Sequence, residues 1–497
     1  MTDFWDFSAW GAFLIIAILF LSLLIANILK KAIPFMKNTL LPTSVLAGIM
    51  LLVFDAIWTA ASGGTSFFDL TIKIKDVVEN DGVLIEGIKE VSIFGAQSGS
   101  GNRTLETITY HTLALGFIAS TLKSSTNHIS KKRMGEVIDT GVTTVSTYLL
   151  QGMVGLLVTF VAALLFIPDF FQAAGMLLPF GFGQGTGQAL NYGTIFQETN
   201  GFVGGASFGL SVAALGFLSA SIGGVIHLNI ARRRGKLGKS VRTDSVLHSE
   251  EIEDMDEVPM QESIDKMTLQ ICLIAVAYML TYVMMFGLCA LIPSMEDIIY
   301  GFNFIFGVFA ASIIKMTMRL LKKLHITKEK YTNNFLLTRV SNLLFDIMVV
   351  SGIAAIDLKV LGDYWHILLV LGVFGLVATY LYNKFIAKKL FPDYKEEQFL
   401  MMYGMLTGTA STGIILLREA DPDFKTPASD NMVFQNFPAI ILGFPMMFIG
   451  KMAPTHFWLT FAIIAVYFVV LNVVLFRRTI FKKLYARQAN KLKETEE

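Results

Sequence analysis

The stretch FGFGQGTGQ at residues 180–188 decides the fold, because it places four alternating glycines inside an otherwise apolar segment. A second interruption, TGTASTG at 407–413, breaks another apolar segment in the same way. In lipid, irregular backbone is tolerated only where protein buries it or where it lines a cavity. The two segments, 172–196 and 397–419, are therefore predicted to be re-entrant hairpins. The alternative for each is a kinked helix whose glycines bring neighbouring helices close.

The composition of the whole chain predicts an integral membrane protein. Of its 497 residues, 54% are hydrophobic and 16% are charged, whereas soluble domains carry about 25% charged residues. The formal net charge of +1 argues against nucleic acid as a partner. The two cysteines, Cys272 and Cys289, lie in one apolar stretch and can form neither a disulfide framework nor a zinc site.

Apolar runs of about 20 residues, the length that crosses a bilayer, recur along the chain. We therefore predict an all-α integral membrane protein with about eleven transmembrane helices in addition to the two hairpins. The predicted spans are 8–29, 40–58, 107–122, 137–166, 203–230, 267–293, 297–320, 332–357, 364–388, 430–450 and 455–476.

Lysine and arginine in the short loops predict the orientation of these spans. Basic clusters follow the first and third spans, and Arg232–Arg234 follow the helix after the first hairpin. Arg232–Arg234 share a side with the earlier clusters only if the first hairpin enters and leaves on the same face, and a second hairpin of this kind places Arg477, Arg478, Lys482 and Lys483 on that side too. The N-terminus is then outside and the C-terminus is cytoplasmic. The predicted location is the cytoplasmic membrane of a bacterium.

The order of spans and hairpins predicts an inverted-topology repeat, an architecture typical of secondary transporters. The first repeat is 1–230 and the second is 267–452, and the charged segment 231–266 is a cytoplasmic linker between them. Residues 453–497 add a helix and a basic tail. The outer stretch 59–106 is predicted to contain a small β-hairpin around 71–93.

The two hairpin tips are the predicted binding site, because half-helix N-termini attract carboxylates and exposed carbonyls bind Na⁺. On these grounds one group of residues is predicted to bind substrate and another to bind the coupling ion. The substrate group is Gln184, Gly185, Thr186, Gly187, Thr409, Ser411, Thr412 and Arg418. The metal group is Gly181, Gly183, Gly408, Asn342 and Asp346.

Several of these residues have a purely structural alternative. Asp346 lies mid-span, where a charge is costly and usually functional. The structural alternative is an ion pair with Arg339 or Lys315. Asn342 has the alternative of a helix-to-helix hydrogen bond. Arg418 is either a bidentate clamp for a carboxylate or a basic residue at the cytoplasmic edge. Gln151 is interpreted as a polar contact between helices.

The run Gly-Gln-Gly-Thr-Gly at 183–187, with 407–413 at the equivalent place in the second half, resembles the sodium/glutamate symporters. Residues 35–48 and the helix after Gly201 are also similar, and the resemblance covers roughly 10–58 and 107–450. It implies Na⁺-coupled uptake of an acidic amino acid by a homodimer with an elevator-like mechanism. Family members commonly have His at Gln184 and Gly at Phe182, and in the second hairpin only Gly408 and Thr412 match.

Two other functions remain open from the sequence. One is an H⁺- or Na⁺-coupled transporter of another mono- or dicarboxylate, which Gln184 in place of the family's His favours. The other is an ion channel or a membrane sensor. No enzyme is expected: Gly205–Gly209 matches G-x-S-x-G, but that motif needs a strand-turn-helix context. The same glycines, with Gly201 and Ala213, form a small-residue ridge that predicts close helix packing. No cofactor is expected besides Na⁺ as the coupling ion.

Overall fold

The computed structural model is almost entirely helical. It describes residues 7–33, 40–80, 83–94, 101–123, 131–237, 264–327, 330–362, 364–422 and 425–480. Most of the predicted linker 231–266, and the basic tail beyond residue 480, lie outside the described residues. On either side of this gap in the described residues, one helix ends at Arg233 and another begins at Lys266.

The described residues of the first half form six α-helices, one strand pair and one helix interruption. The helices are α1 (Phe7–Ala32), α2 (Thr43–Ala61), α3 (Gly101–Leu122), α4 (Lys131–Leu165), α5 (Thr186–Asn200) and α6 (Gly205–Arg233). Strands β1 (Thr71–Asn80) and β2 (Val83–Ser92) pair antiparallel, with Thr71 opposite Ser92. This pair is the β-hairpin predicted around 71–93. A 3₁₀ turn (Gln172–Met176) and a π turn (Pro179–Gly183) precede α5.

The described part of the second half is helical. Its elements are α7 (Lys266–Leu291), α8 (Glu296–Gly301), α9 (Asn303–Lys323), α10 (Asn334–Ala354), α11 (Trp365–Leu390), α12 (Lys395–Thr407), α13 (Ala410–Ala420), α14 (Ala428–Phe434) and α15 (Asn436–Met452). The chain continues through α16 (Phe457–Leu475) and α17 (Arg477–Ile480). Polar side chains cap the N-termini of three of these helices: Asp265 accepts from Thr268 N, Asn333 from Leu336 N and Thr409 from Thr412 N.

Nine helices in the described part of the chain are long and apolar enough to cross a membrane. The pair α14 and α15, bent by 51°, would make a tenth. The chain is therefore a helical, multi-pass membrane protein. The nine are α1, α2, α4, α6, α7, α9, α10, α11 and α16.

The predicted span 107–122 is the one that differs. It forms a helix, α3, but α3 is not among the nine. Its sequence includes Thr109, His111 and Thr112, and the protein interior covers much of it. Because α3 packs against α9 and α10, most of its surface needs no lipid-compatible side chains.

Several helices from the first half of the chain pack against helices from the second half. α3 packs against α10, and α4 packs against α11. In addition, α2 packs against α10, and α3 packs against α9. The smaller of two hydrophobic clusters joins α3, α7, α9 and α10, while the larger one runs through the rest of the molecule, including both interrupted segments.

Two glycines of the predicted small-residue ridge, Gly205 and Gly209, pack closely in α6, whereas Gly201 lies before the helix with open space around it. A Cβ added to Gly205 would lie 2.5 Å from the Gly193 carbonyl, and one added to Gly209 would overlap the Ala189 carbonyl. Only glycine permits this approach, because any side chain would have to displace backbone. The ridge therefore fixes α6 against α5, the helix that leaves the first interruption.

Candidate functional site

The two interruptions meet in space, as the sequence predicts. The first break lies at Gln184 and Gly185, between the π turn and α5; the second lies at Gly408 and Thr409, between α12 and α13. A Cβ added to Gly185 would lie 3.6 Å from Thr409 Cγ2 and 3.9 Å from the Gly408 carbonyl oxygen. These four residues are called the tip junction below.

The backbone conformation at Gly185 makes the first break. Its φ of +85° with ψ of −171° is a combination that is essentially restricted to glycine. The Gly185 amide donates to the Gly181 carbonyl at 3.2 Å, and its own carbonyl accepts from Ala189 N at 3.1 Å. Gly185 therefore ends one helical segment and begins the next within a single residue.

The second break uses a hydroxyl cap in place of a left-handed glycine. Thr409 is extended, and its Oγ1 accepts from Thr412 N at 3.4 Å at the start of α13. The N-termini of α5 and α13 consequently lie side by side at the tip junction. Each carries a partial positive charge and unpaired amides. Two adjacent helix N-termini form an environment that attracts a carboxylate.

The side chains around the tip junction are polar and largely buried. Thr186 and Thr412 are fully buried, whereas Gln184, Thr409 and Ser411 are half-buried. Thr186 Oγ1 donates to the Met348 carbonyl in α10 at 3.4 Å. The structure thus brings together the predicted substrate residues from both segments, except for Arg418.

The remaining glycines of the first segment have packing neighbours. A Cβ on Gly181 would lie 2.8 Å from Ala213 N in α6, and one on Gly187 would lie 2.7 Å from Leu113 Cδ1 in α3. Gly183 lies against the Tyr148 ring and against Gln151 of α4. In the second segment, a Cβ added to Gly408 would lie 2.9 Å from Thr412 Oγ1. These contacts hold the interruption between α3, α4 and α6.

Asp346 and Asn342 are on α10 but do not reach the tip junction. Asp346 has the Ser44 side chain at the start of α2 as its hydrogen-bond partner. Gly352, which contacts Thr186, lies about 120° around the helix from Asp346. Asn342 is exposed.

The two cations considered as partners of Asp346 make other contacts. Lys315 Nζ donates to the Thr121 carbonyl at 3.1 Å, and to the Lys123 carbonyl. Arg339 lies over the Phe335 ring at 5.0 Å. None of these contacts involves Asp346, whose carboxylate lies near the Ser44 side chain.

Arg418 lies near the far end of α13. It is exposed, and it follows the first residue of that helix by eight positions, or about 12 Å along the axis. The neighbouring Glu419 accepts from Arg232 of α6 at 2.9 Å. This end of the hairpin is occupied by an ion pair between α6 and α13, and the structure does not bring Arg418 to the tip junction.

Two buried glutamines lie in or against the first interrupted segment: Gln188, whose amide the sequence predicts to offer a donor and an acceptor to a ligand, and Gln151, which is predicted to contact another helix. Gln188 is 2% exposed, and its Nε2 and Oε1 both lack a hydrogen-bond partner among the described residues. Gln151 of α4 is 0% exposed; its Nε2 is bonded, but its Oε1 has no partner in the same part of the chain. A buried, unpaired amide group costs about 1–3 kcal/mol. In the sequence, Gln188 is the last residue of the glycine-rich stretch 180–188.

An open cavity of about 490 Å³ lies at the other end of α5, away from the tip junction. Its lining includes the carboxylates of Asp69, Glu106 and Asp357. Glu106 lies in the outer stretch, before the predicted span 107–122. The pKa of Glu106 is raised to about 7, chiefly by burial; Arg103 opposes the increase and Glu198 adds to it. A cavity lined by carboxylates is unsuited to hold an anion. The features that attract an anion are instead the two helix N-termini at the tip junction.

No protein-family model matches the chain, and no curated protein matches it significantly.

Proposed function

We propose that this protein is a secondary active transporter that couples the uptake of an acidic amino acid, glutamate first, to Na⁺. The observation that carries the proposal is the contact between Gly185 and Thr409, which joins two broken helices inside the protein. Broken helices whose ends meet within a membrane protein are typical of substrate and ion sites in secondary transporters.

The chemistry of the tip junction supports an anionic substrate. The N-termini of α5 and α13 adjoin there, and each favours a carboxylate. The hydroxyls of Thr409 and Ser411 and the amide of Gln184 are half-buried and supply hydrogen-bonding groups. Gln188, buried with both amide atoms unsatisfied, has capacity for a ligand that offers both a donor and an acceptor. An amino acid has both, in its ammonium and carboxylate groups.

The two interrupted segments are proposed to be re-entrant hairpins in an inverted repeat. The pairwise packing of α3 with α10 and of α4 with α11 supports a pseudo-twofold relation between the halves. The N-terminus is then outside and the C-terminus cytoplasmic, in a bacterial cytoplasmic membrane, as the distribution of lysine and arginine predicts. A homodimer with an elevator-like motion is part of the same proposal.

Contacts at the base of the second hairpin support a common moving body. His227 of α6 lies 2.8 Å from Glu396 of α12, and Lys236 lies 2.9 Å from the same carboxylate. With the pair Arg232–Glu419, these contacts join α6 to both legs of the second hairpin. The ridge of α6 packs against α5 of the first hairpin. Both hairpins and α6 are therefore proposed to move as one unit.

A second candidate keeps the architecture and changes the cargo to another mono- or dicarboxylate, coupled to H⁺ or Na⁺. The observation that favours it is Gln184 at the tip junction, where the resembling family commonly has His. The helix N-termini would bind any carboxylate, so the geometry of the junction suits both cargoes.

Uptake into proteoliposomes tests the proposal. Labelled glutamate is offered under an inward Na⁺ gradient, a proton gradient or a choline gradient of equal strength. We expect accumulation only with Na⁺, and competition by aspartate more than by dicarboxylates without an amino group. Uptake that follows the proton gradient, or equal competition by succinate, would favour the second candidate. Single-channel currents would contradict both.

A further inference from the structure

Gln151 lies between the two hairpins, at the middle of α4. Its Nε2 donates to the Leu406 carbonyl at 2.8 Å and to Thr379 Oγ1 of α11 at 2.9 Å. Its Oε1 faces the first hairpin, since a Cβ added to Gly183 would lie 3.0 Å from this oxygen. One side chain thus contacts the last turn of α12 and also the π turn of the first hairpin.

The orientation of this amide is fixed by its partners. The Leu406 carbonyl can only accept, so the nitrogen of the amide must face it. The oxygen is then directed away, and it has no hydrogen-bond partner among the described residues. Two hydroxyls earlier in α4 have amide partners: Thr140 Oγ1 accepts from Gln398 Nε2 at 3.1 Å, and Thr144 Oγ1 donates to Gln435 Oε1 at 2.9 Å. Gln151 Oε1 differs from both, because it is a buried amide oxygen without such a partner in the described part of the chain.

The helix ends around Gln151 have the opposite polarity to those at the tip junction. α12 ends at Thr407 and the π turn ends at Gly183, so the C-terminal ends of both first legs lie close to Gln151. Helix C-termini carry a partial negative charge and carbonyls without helical partners. An amide oxygen beside two such ends is a setting for a cation, and hard cations such as Na⁺ prefer oxygen ligands.

We propose that Gln151 Oε1 is a ligand of the coupling Na⁺, in a site between the first legs of the two hairpins. The inference rests on the proposed function and assigns the ion to a side chain. Anion and cation are then separated by helix polarity: the carboxylate lies at the N-termini of the second legs, and Na⁺ lies at the C-termini of the first legs. Because Gln151 contacts both hairpins, its ion would link their relative position to Na⁺ binding.

Thermal unfolding of the purified full-length protein tests the site without transport. Unfolding is followed while NaCl replaces choline chloride at constant ionic strength, and the Na⁺ concentration that gives half of the stabilisation is the readout. Gln151→Met keeps the shape of the side chain and loses the oxygen. We expect it to raise this midpoint by on the order of tenfold to a hundredfold. Glutamate binding at saturating Na⁺ is expected to stay near that of the wild type.

Gln398→Met is the matched control, because Gln398 is equally buried but both of its amide atoms are bonded. It should lower the unfolding temperature and leave the Na⁺ midpoint unchanged. Gln151→Asn retracts the oxygen by one methylene and replaces Gln151→Met if that variant does not fold. An unchanged midpoint in the Gln151 variants, with Na⁺ still stabilising the wild type, would overturn the site alone. A wild type that Na⁺ does not stabilise would instead contradict the proposed coupling.

Discussion

Gly185 and Thr409 are neighbours in space although 224 positions separate them in the sequence, because a Cβ added to the glycine would lie 3.6 Å from Thr409 Cγ2. Each residue begins a helix, α5 or α13, so their contact brings two helix N-termini together inside the protein. The geometry depends on a backbone conformation at Gly185 that other residues rarely adopt.

Gly185→Ala is expected to destabilise the protein by about 1–3 kcal/mol and to abolish uptake. The added methyl has room, so the cost comes from the positive φ and from the shift of α5 that relieves it. Thermal unfolding and uptake measure the two effects. Gly235→Ala is the control: Gly235 also has a positive φ, of +66°, but it lies in open space beyond α6. Loss of uptake in both variants would count against a special role for the junction.

Gln188→Leu is expected to increase stability while impairing substrate binding. Two buried polar atoms without partners are removed, which should stabilise the empty protein by about 1–3 kcal/mol. If Gln188 binds substrate, glutamate affinity should fall by about tenfold or more. Gln398→Leu should instead lower the unfolding temperature, because both amide atoms of Gln398 are hydrogen-bonded. A Gln188→Leu protein that is less stable than the wild type would indicate partners for this amide.

Glu396 should contribute more to stability than Glu419, although both form ion pairs with residues at the end of α6. Glu396 is buried and contacts both His227 and Lys236. Removing it leaves those groups without their carboxylate, so Glu396→Ala should cost about 3 kcal/mol. The Arg232–Glu419 pair is more exposed, and Glu419→Ala should cost less than about 1 kcal/mol. Equal effects in thermal unfolding would contradict this difference in burial.

Glu106 should make stability depend on pH. Its pKa is raised to about 7 in the folded protein, chiefly by burial, from an ordinary value of 4.5. Between these values the unfolded chain binds fewer protons than the folded one, so stability falls as pH rises through this window. Glu106→Gln should remove that component. The difference in unfolding temperature between variant and wild type should therefore increase from pH 5 to about pH 7, and parallel curves would contradict the assignment.

The apolar spans and the breaks could be predicted from the sequence because lipid imposes one rule on every segment. Long apolar runs form helices, and clusters such as 180–188 can be tolerated only inside protein. The exception, α3, illustrates the limit: its polar residues are accommodated by neighbours that are distant in sequence. Periodicity along one segment contains no information about such partners.

The site was predicted less completely than the fold. The residues at the two breaks are predictable, because each break is a local feature of the sequence. The charges of Asp346 and Arg418 predict a place in the site. The position of Asp346, however, depends on which face of its helix turns inward, and that of Arg418 depends on its distance from the break. Gln151 was interpreted as a contact between helices, and its nitrogen makes that contact. Its unpaired oxygen emerges only from the three-dimensional positions of Leu406 and Gly183.

Protection of the tip junction from chemical modification tests the central claim most directly. Cys272 and Cys289 are first replaced, and single cysteines are then introduced at Gln184, half-buried at the junction, and at Arg418, exposed at the far end of α13. The rate of reaction with a water-soluble thiol reagent is measured with Na⁺ and glutamate together and with each alone. We predict that Na⁺ and glutamate together slow modification at position 184 and leave position 418 unaffected. Equal rates at position 184 with and without ligand, in a variant that still transports, would contradict the account.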